Sequence, residues 1–367
     1  MRVFVTGVGA VSCVGNGVAA LEHALYTGSS GIAPAGCDWL DLPPQAVVGL
    51  VKSAPPTLYP RADFFLEAAL HEAFGQAALV KRVDRLPIYL GAAHGHLDMW
   101  RRQRQNVATS ASKNTASENP AAANSQSNNL WDLGANFFAE RVSRAEVTVV
   151  STACTASSVA VGLALDTLRC GDSEIAVVAG VEAMTSFLYS GFASLRSLAS
   201  ACRPFDRDRS GLVLGEGAAA IVLETEAHAQ RRGATPLAEL AGFGFASDAL
   251  QLTAPDPAGA GATAALQAAL SDARMNEPPD YVNAHGTGTK LNDHMECVAL
   301  RRVFRDNVTA IPISSTKPIT GHLCGGAGAM EVVASIIGMR AGIIPPVLGL
   351  ENPDLQFANF DFVRGQS

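Results

Sequence analysis

The sequence predicts an α/β fold of two similar halves, in which buried helices lie between two sheets. Short apolar runs of strand length alternate along the chain with longer segments of helical periodicity. Two predicted helices, at 157–169 and 325–341, are apolar on nearly every face, which is typical of helices that are enclosed on both sides. Each follows a buried strand through a Ser-Thr step, and these two strand–turn–helix units indicate a weak internal duplication.

The first half contains five predicted strands and three predicted helices. Each strand is a short apolar run bounded by glycine or polar residues, and each helix carries apolar residues spaced three and four apart. The strands are predicted at 3–6, 86–90, 146–151 and 174–179 and within 211–224, and the helices at 17–27, 62–79 and 157–169. We interpret Gly7-Val8-Gly9 as a turn after the first strand, because Ser12 replaces the third glycine of a dinucleotide-binding fingerprint.

The second half is predicted to begin after residues 226–236, a charged stretch that contains a turn. Strands at 280–283 and 311–315 then alternate with helices at 262–273 and 325–341. The two halves are therefore predicted to comprise residues 1–230 and 235–367. The first half also contains a polar insertion at 101–129, whose low complexity predicts a surface excursion.

Composition and charge exclude several classes of protein. Twenty-seven Lys and Arg residues against 34 Asp and Glu residues give the 367-residue chain a net charge of −7, which argues against a nucleic-acid-binding or membrane-surface protein. No apolar run reaches the roughly 18 residues that a membrane span needs, and the N-terminus does not have the pattern of a signal peptide. The seven cysteines lack zinc-type spacing and favour a reducing compartment, so we expect a cytoplasmic protein.

Cys154 is distinguished from the other cysteines by its place between a buried strand and a buried helix. The start of a helix offers free backbone N–H groups and a partial positive charge, and both stabilise a thiolate and lower the pKa of the thiol. The same N–H groups can hold the oxyanion formed when an acyl carbonyl is attacked. From its surroundings alone, Cys154 fits a nucleophile and a small residue at a tight turn equally well.

Two histidines and a lysine favour the first interpretation. His285 and His322 both lie in glycine-flanked turns at the ends of core elements of the second half. Either histidine alone would be interpreted as a buried residue that is hydrogen-bonded to the backbone. Lys317 lies between a buried strand and a buried helix, where a charge needs a carboxylate or catalytic partner. Together these residues predict one site that both halves form.

Four motifs carry a family resemblance. They are STACTAS around Cys154, RPFDRDRSGLVLGEGAAAIVLE at 203–224, NAHGTGTKLNDHMEC at 283–297 and STKPITGHLCGGAGAMEV at 315–332. With these motifs the chain resembles a β-ketoacyl-acyl carrier protein synthase, a condensing enzyme of the thiolase-fold superfamily. The resemblance implies a five-layered α-β-α-β-α fold with two duplicated halves. It extends over about Val3 to Asn352 and is weakest through 97–145.

The resemblance implies a role for each candidate residue. Cys154 would take an acyl chain from a carrier-protein thioester, as in fatty acid or polyketide biosynthesis. His285 and His322 would hydrogen-bond the thioester oxygen of malonyl-carrier protein and promote loss of CO2. Lys317 would pair with Glu296 and orient the histidines.

Binding of the substrate and partners is implied in the same way. Thr287 and Thr289 resemble residues that hydrogen-bond the phosphopantetheine arm, although turn formation explains them comparably well. The implied chemistry needs no metal and no organic cofactor on the enzyme, because the acyl carrier protein carries the phosphopantetheine. The expected partners are acyl carrier protein and a second subunit, either an identical chain or a related ketosynthase.

The chain departs from the family pattern at its C-terminal end. Relatives continue beyond Ser367 through a further strand and a Gly-Phe-Gly-containing loop that supplies an oxyanion donor, so the second half is expected to be truncated. Two alternatives therefore stay open beside a condensing enzyme. The first is a catalytically weak partner subunit similar to a chain-length factor. The second is a cysteine acyltransferase or thioesterase without condensation.

Overall fold

The structure is a computed structural model that describes residues 1–37, 39–55, 60–79, 81–97 and 131–365. The predicted insertion at 101–129 lies outside the described residues. The strands are β1 (Val3–Ser12), β2 (Gly15–Asn16), β3 (Ala33–Pro34), β4 (Val47–Val48), β5 (Val83–Gly91), β6 (Val142–Val150), β7 (Ile175–Glu182), β8 (Gly217–Thr225), β9 (Ala238–Glu239), β10 (Val282–Asn283) and β11 (Ile313–Ser314). The helices are α1 (Val18–Thr27), α2 (Arg61–Gln76), α3 (Ala135–Arg141), α4 (Ala156–Arg169), α5 (Ser186–Ser194), α6 (Glu226–Arg231), α7 (Ala260–Asp272), α8 (Lys290–Phe304), α9 (Lys317–Thr320) and α10 (Ala327–Ala341).

A seven-stranded mixed sheet forms the centre of the molecule. Its order is β2-β1-β8-β7-β5-β6, with β9 paired to β1. β5 is parallel to both β6 and β7, whereas β8 is antiparallel to β1 and β7. All five strands predicted for the first half are present in this sheet. The boundary predicted at 226–236 contains the short helix α6.

The predicted turn at Gly7-Val8-Gly9 is wrong, because these residues continue β1. The register of β1 against β8 shifts between Val5 and Gly7, and the strand then runs on to Ser12. A Cβ at Gly9 would lie 2.0 Å from the carbonyl oxygen of Ala69 in α2. The glycines therefore let α2 pack directly on the strand, which is a use of glycine that a local sequence pattern does not distinguish from a turn.

Helices cover both faces of the large sheet. One face packs on α2 in a cluster that includes Phe65, Leu66, Leu70, Ile88 and Val177. The other face packs on α4 and α10 in a cluster that includes Leu165, Val178, Ile221, Met330 and Val333. A third cluster joins β10 and β11 to α8 and the partly buried residues of α7. The resulting order of layers is α-β-α-β-α, which confirms the predicted fold class.

The second sheet consists of only two described strands. β10 and β11 are parallel and short, within the segments predicted at 280–283 and 311–315. The duplication is clearest in the turn that precedes the buried helix of each half. A single 3-10 turn precedes α4 and another precedes α10, and each contains a non-glycine residue with positive φ, Ala153 at 54° and Cys324 at 43°. Among the described residues, none of the helices combines the length and apolar character that crossing a membrane requires.

The contact of Gly91 with the start of α4 gives a first test of this packing. A Cβ at Gly91 would lie 2.3 Å from the backbone nitrogen of Ser157. We predict that Gly91→Ala lowers the free energy of unfolding by about 2–3 kcal/mol, since neither backbone can move without repacking the core. Urea unfolding followed by circular dichroism measures the change.

Gly75→Ala is the matched control. Nothing lies within 4 Å of a Cβ at this exposed position of α2, and alanine favours a helix over glycine by up to about 1 kcal/mol. The control should therefore be neutral or slightly stabilising. Equal stability of the Gly91→Ala variant and the parent would contradict the packing described here.

Candidate active site

Cys154 lies where the sequence predicts it, between β6 and α4. It sits in the 3-10 turn Ala153–Thr155, and α4 begins two residues later at Ala156. Ala153 has a left-handed φ of 54°, which costs conformational energy in a residue other than glycine. The turn leaves the half-buried Cys154 side chain at the positive end of a 14-residue helix.

His322 contacts the Cys154 sulfur directly. Its Nε2 lies 3.1 Å from Sγ, while its Nδ1 accepts a hydrogen bond of 3.2 Å from the backbone N–H of Cys324. Because Nδ1 is an acceptor, a neutral His322 carries its proton on Nε2 and points it at the sulfur. The ring is 1% exposed, so its orientation is fixed by packing as well as by these two contacts.

His285 brings a second imidazole to the same point. The ammonium of Lys317 donates to its Nδ1 over 3.2 Å, which again leaves the proton on Nε2. Burial first, and then the electrostatic influence of the nearby Lys317 and His322, hold the pKa of His285 well below its usual range. His285 is therefore neutral at physiological pH, and its ring lies 5.1 Å from that of His322 at 84°.

The ligand atoms of Cys154, His285 and His322 all lie within 4.8 Å of one another. The structure thus brings together three residues from three separate segments of the sequence, as predicted. The two imidazole N–H groups converge beside a thiol, so the arrangement presents one nucleophile and two hydrogen-bond donors. An acyl thioester oxygen is an acceptor that such donors can bind.

The expected pairing of Lys317 with Glu296 is wrong. The Lys317 ammonium is 2% exposed and pairs with Glu331 of α10. Glu296 instead accepts the backbone N–H groups of His285 and Gly286, over 2.6 and 2.8 Å. Burial raises the pKa of Glu296 to about 7. Lys317 therefore orients the His285 ring, whereas Glu296 holds the backbone of the His285 turn.

Thr287 and Thr289 form the turn that the sequence predicts and also line a cavity, while hydrogen bonding of a phosphopantetheine arm stays a prediction. Their hydroxyl oxygens lie 3.0 Å apart, and that of Thr289 caps α8 by accepting the N–H of Asn292. Both also line a cavity of about 530 Å³ together with Cys154 and the two histidines. The same cavity has apolar walls, to which Phe192, Leu195 and Leu212 contribute.

The Cys324 thiol interacts with the Cys154 side chain. A hydrogen bond from the Cys324 thiol is the largest influence that lowers the pKa of Cys154, ahead of the charge and hydrogen bond of His322 and the charge of Lys317. Burial opposes these effects, but the pKa of Cys154 still lies well below its usual value. The pKa of Cys324 is raised well above the usual range by the same hydrogen bond and by burial.

Two carboxylates that support the site, the half-buried Glu331 and the buried Glu182, were not predicted from the sequence. Glu331 is an isolated acidic residue in the apolar helix α10, and its isolation is the signal that could have paired it with Lys317. Glu182, at the end of β7, accepts the backbone N–H groups of Ala93 and Gly325 and contacts His94 Nδ1 at 3.1 Å. It thereby ties the end of β5 to the turn that precedes α10.

The depressed pKa of Cys154 can be measured by alkylation. Because the thiolate is the reactive form, we predict that iodoacetamide modifies Cys154 at mildly acidic pH, below the usual thiol pKa of about 8.5. Cys324→Ala removes the largest stabilising contact, so its rate–pH profile should shift to higher pH. Peptide mapping by mass spectrometry, with the exposed Cys170 of the same molecule as an internal reference, gives both profiles.

The chain matches known protein families over most of its length. Residues 60–229 match the family model for the beta-ketoacyl synthase N-terminal domain, and residues 237–351 match the model for the C-terminal domain. A 3-oxoacyl-[acyl-carrier-protein] synthase 2 from Coxiella burnetii is 32% identical, over 100% of this chain and 92% of the relative.

Two solved structures have the same fold over nearly all of the chain. The ishigamide ketosynthase/chain length factor superposes with a TM-score of 0.86 at 29% identity, covering 100% of this chain and 92% of the other. A type II PKS acyl-carrier protein in complex with its ketosynthase, AntDE:AntF, gives a TM-score of 0.83 at 25% identity, with coverage of 99% and 91%.

Proposed function

The chain belongs to the β-ketoacyl synthase family of condensing enzymes, and from this premise we propose which of its residues perform each step of the reaction. The family activity is that of a 3-oxoacyl-[acyl-carrier-protein] synthase, an acyltransferase. One observation carries the assignment: Cys154 Sγ lies 3.1 Å from His322 Nε2, and one ring nitrogen of His285 lies within 4.8 Å of the ligand atoms of both residues.

The first step is transfer of an acyl chain to Cys154. The thiolate attacks the carbonyl carbon of an acyl thioester, a new carbon–sulfur bond forms, and the carrier's thiolate leaves and takes up a proton. The depressed pKa of Cys154 supplies the thiolate. The partial positive charge at the start of α4 stabilises the oxyanion that forms during the attack.

The second step is decarboxylation of a malonyl thioester. Its carbonyl oxygen accepts hydrogen bonds from Nε2–H of His285 and of His322, the bond to the carboxylate breaks, and CO2 leaves. The electron pair remains as an enolate, whose negative oxygen the two N–H groups stabilise. The enolate carbon attacks the acyl carbonyl on Cys154, the new carbon–carbon bond forms, and the thiolate of Cys154 is released.

Lys317 and Glu296 act through His285 and do not exchange protons with the substrate. The ammonium holds Nδ1 of the ring, which directs Nε2–H at the substrate oxygen, and it is itself neutralised by Glu331. A protonated amine that is paired with a carboxylate is a poor general base. Glu296 fixes the turn from which His285 projects.

The cavity beside Cys154 suits a phosphopantetheine arm that is carried by an acyl carrier protein. Thr287 and Thr289 offer hydroxyl groups along it, and the cations Arg196 and Lys290 also line it. The solved relative that contains an acyl-carrier protein with its ketosynthase supports this choice of partner. In this proposal the enzyme itself uses no metal and no organic cofactor.

A paired subunit is supported by the edge of the large sheet. Within the part of the chain that the structure describes, β6 is the last strand of this sheet, and Val147 on it is 43% exposed, which suits pairing with a second chain along this edge. The solved ketosynthase/chain length factor relative is consistent with a heterodimer, and an identical partner would use the same edge. The cytoplasmic location stays a prediction.

One assay tests the proposed roles. The purified chain is incubated with acyl-carrier protein and then with malonyl-carrier protein, while intact mass and released CO2 are followed. We expect an acyl adduct that Cys154→Ala abolishes. His285→Ala should keep the adduct but reduce CO2 release about 10²–10³-fold, because one oxyanion donor is lost. Cys170→Ala, at an exposed cysteine, serves as the control.

The outcomes separate the alternatives. An adduct that forms without CO2 or a β-ketoacyl product would support a cysteine acyltransferase or thioesterase. Condensation that appears only after a second ketosynthase is added would support a weak partner subunit. An unmodified Cys154 under all these conditions would contradict the assignment of the nucleophile.

The proposed mechanism uses no metal ion, and treatment with a chelator tests this. One potential ligand atom each of Cys154, His285 and His322 lies close enough to the others to bind an ion. Both imidazoles are proposed to act through the proton on Nε2, and a metal bound at Nε2 would replace that proton. We predict that EDTA leaves the acylation and CO2 rates unchanged and that added Zn²⁺ inhibits both. Activity that EDTA abolishes and Zn²⁺ restores would contradict the proposal.

A further inference from the structure

Two cysteine thiols, one from each half of the chain, meet in the active site. Cys154 is half-buried in the turn before α4, and Cys324 is 2% exposed in the turn before α10. The Cys324 thiol donates a hydrogen bond to the Cys154 sulfur. The steps proposed above make and break bonds at the Cys154 sulfur alone, so the Cys324 thiol is a second nucleophilic group that the condensation does not consume.

The contact between the two turns is fixed by close packing of the helices that follow them. Ala329 of α10 donates its backbone N–H to Ser157 Oγ of α4 over 3.0 Å. Gly180 of β7 lies between the helix starts, where a Cβ would be 2.7 Å from the Cβ of Ser157 and 2.9 Å from the Cα of Gly326. A disulfide requires the Cβ atoms of its two cysteines to lie about 3.5–4.5 Å apart, so it forms where the backbone already holds both side chains together, as these turns do.

Further hydrogen bonds anchor the turn that carries Cys324. The backbone N–H of Cys324 donates to His322 Nδ1 over 3.2 Å, and the N–H of Gly325 donates to the buried Glu182 over 3.1 Å. His322 in turn places Nε2 3.1 Å from the Cys154 sulfur. The backbone is therefore held at two consecutive residues, and one of these anchors also contacts the sulfur of the partner.

The two thiols differ in access and in reactivity. Cys154 lines the active-site cavity of about 530 Å³, whereas Cys324 packs in an apolar cluster with Leu212 and Leu214. The hydrogen bond between the thiols is the largest influence that lowers the pKa of Cys154 and the largest that raises the pKa of Cys324. A small oxidant that enters the cavity therefore meets a thiolate first, with a protected thiol beside it. This arrangement favours a disulfide over further oxidation of the first sulfur.

We propose that Cys154 and Cys324 form a reversible disulfide when a hydroperoxide enters the active-site cavity. The Cys154 thiolate attacks the terminal oxygen of the hydroperoxide, the oxygen–oxygen bond breaks, and the alkoxide that leaves takes up a proton from solvent. Cys154 is thereby oxidised to a sulfenic acid, and the hydroperoxide is reduced to an alcohol, or to water when the oxidant is hydrogen peroxide.

The second step closes the disulfide. The Cys324 sulfur attacks the Cys154 sulfur, the sulfur–oxygen bond breaks, and the hydroxide leaves as water with the proton that Cys324 gives up. Counted from both protonated forms, two thiols and one hydroperoxide yield one disulfide, one alcohol and one water. The Nε2–H of His322 lies beside the sulfur that is attacked and can hydrogen-bond the departing oxygen.

The disulfide would switch off the nucleophile and protect it at the same time. In this state neither sulfur attacks an acyl thioester, and Cys154 is withheld from oxidation to the sulfinic acid, which a dithiol does not reverse. Exchange with a dithiol returns both thiols. The loss of acyl transfer rests on the proposed function of Cys154, whereas formation of the disulfide does not.

Other cysteines of the chain are poorer partners for Cys154. Cys13 and Cys202 are buried and donate their thiols to backbone carbonyl oxygens. Burial raises the pKa of each of these two thiols to about 12. Cys170 is exposed but lies at the opposite end of α4, which places it about 20 Å from Cys154 along the helix. Cys324 is therefore the partner that the fold favours.

The test follows the thiols of the full chain. The purified protein is treated with hydrogen peroxide, the remaining thiols are alkylated with iodoacetamide under denaturing conditions, and its peptides are mapped by mass spectrometry without reduction. We expect a cross-linked pair of peptides that contains Cys154 and Cys324 and has lost two hydrogen atoms. Its yield should not depend on protein concentration, and dithiothreitol should restore alkylation of Cys154. These readouts do not require acyl transfer, so failure of this inference and failure of the proposed function give different results.

Substitutions at three cysteines provide the controls. Cys324→Ser removes the second thiol with little change in volume, so peroxide should drive Cys154 to the sulfinic acid and dithiothreitol should no longer restore its alkylation. Cys324→Ala should give the same loss without a hydroxyl group at the site. Cys170→Ala and Cys13→Ala, at one exposed and one buried cysteine outside the pair, should form the cross-link as the parent does.

Four results would overturn the proposal. The first is oxidation of Cys154 to the sulfinic acid in the parent without a cross-link. The second is a cross-link from Cys154 to a different cysteine, or one whose yield rises with protein concentration. The third is a Cys154 thiol that stays reduced under conditions that oxidise the exposed Cys170. The fourth is recovery of the Cys324→Ser variant by dithiothreitol to the same extent as the parent.

Discussion

The site depends on one steric constraint, the close approach of the starts of α4 and α10. A Cβ at Gly328 of α10 would lie 2.0 Å from Ser158 Oγ, and one at Gly325 would lie 2.3 Å from the backbone nitrogen of Ala93. A side chain at Gly328 would push the two helix starts apart, and one at Gly325 would push the turn before α10 away from the end of β5. His322 Nε2 reaches the Cys154 sulfur only because the turns preceding the two helices meet. The nucleophile of one half and the donors of the other are thus joined by packing between the halves.

The surroundings of His285 keep its imidazole neutral. Burial is the largest influence that disfavours an imidazolium at this residue, and the nearby Lys317 and His322 add to it. Glu331 balances the ammonium without contacting the imidazole ring, so the positive charge holds Nδ1 without protonating it. A neutral donor is what the proposed enolate step needs, because an imidazolium could transfer its proton to the enolate carbon and end the reaction before a carbon–carbon bond forms.

The strands and helices could be predicted from the sequence wherever the local pattern of apolar residues determines the secondary structure. Cys154 was placed at a strand-to-helix junction by the apolar runs on either side of it, and the helix after it begins within one residue of the prediction. The partner of Lys317 was not predictable in this way. Glu296 and Glu331 are both acidic residues within about two dozen positions of it, and only the packing of α10 against α9 selects Glu331. Gly7 and Gly9 were misread because glycine permits a turn and permits close packing of a helix on a strand, and sequence alone does not separate the two.

The role of Cys324 also depends on contacts that a local sequence pattern does not reveal. In the sequence it is one of several cysteines in apolar surroundings, and its position two residues after His322 suggests only a variable turn residue. In the fold, the 3-10 turns that precede α4 and α10 are counterparts in the two halves. The Cys324 thiol of one turn therefore lies beside the Cys154 thiol of the other. The backbone N–H of Cys324 sets the tautomer of His322, and its side chain lowers the pKa of Cys154. One residue of the second half therefore influences both the donor and the nucleophile, through contacts that exist only when the two halves are assembled.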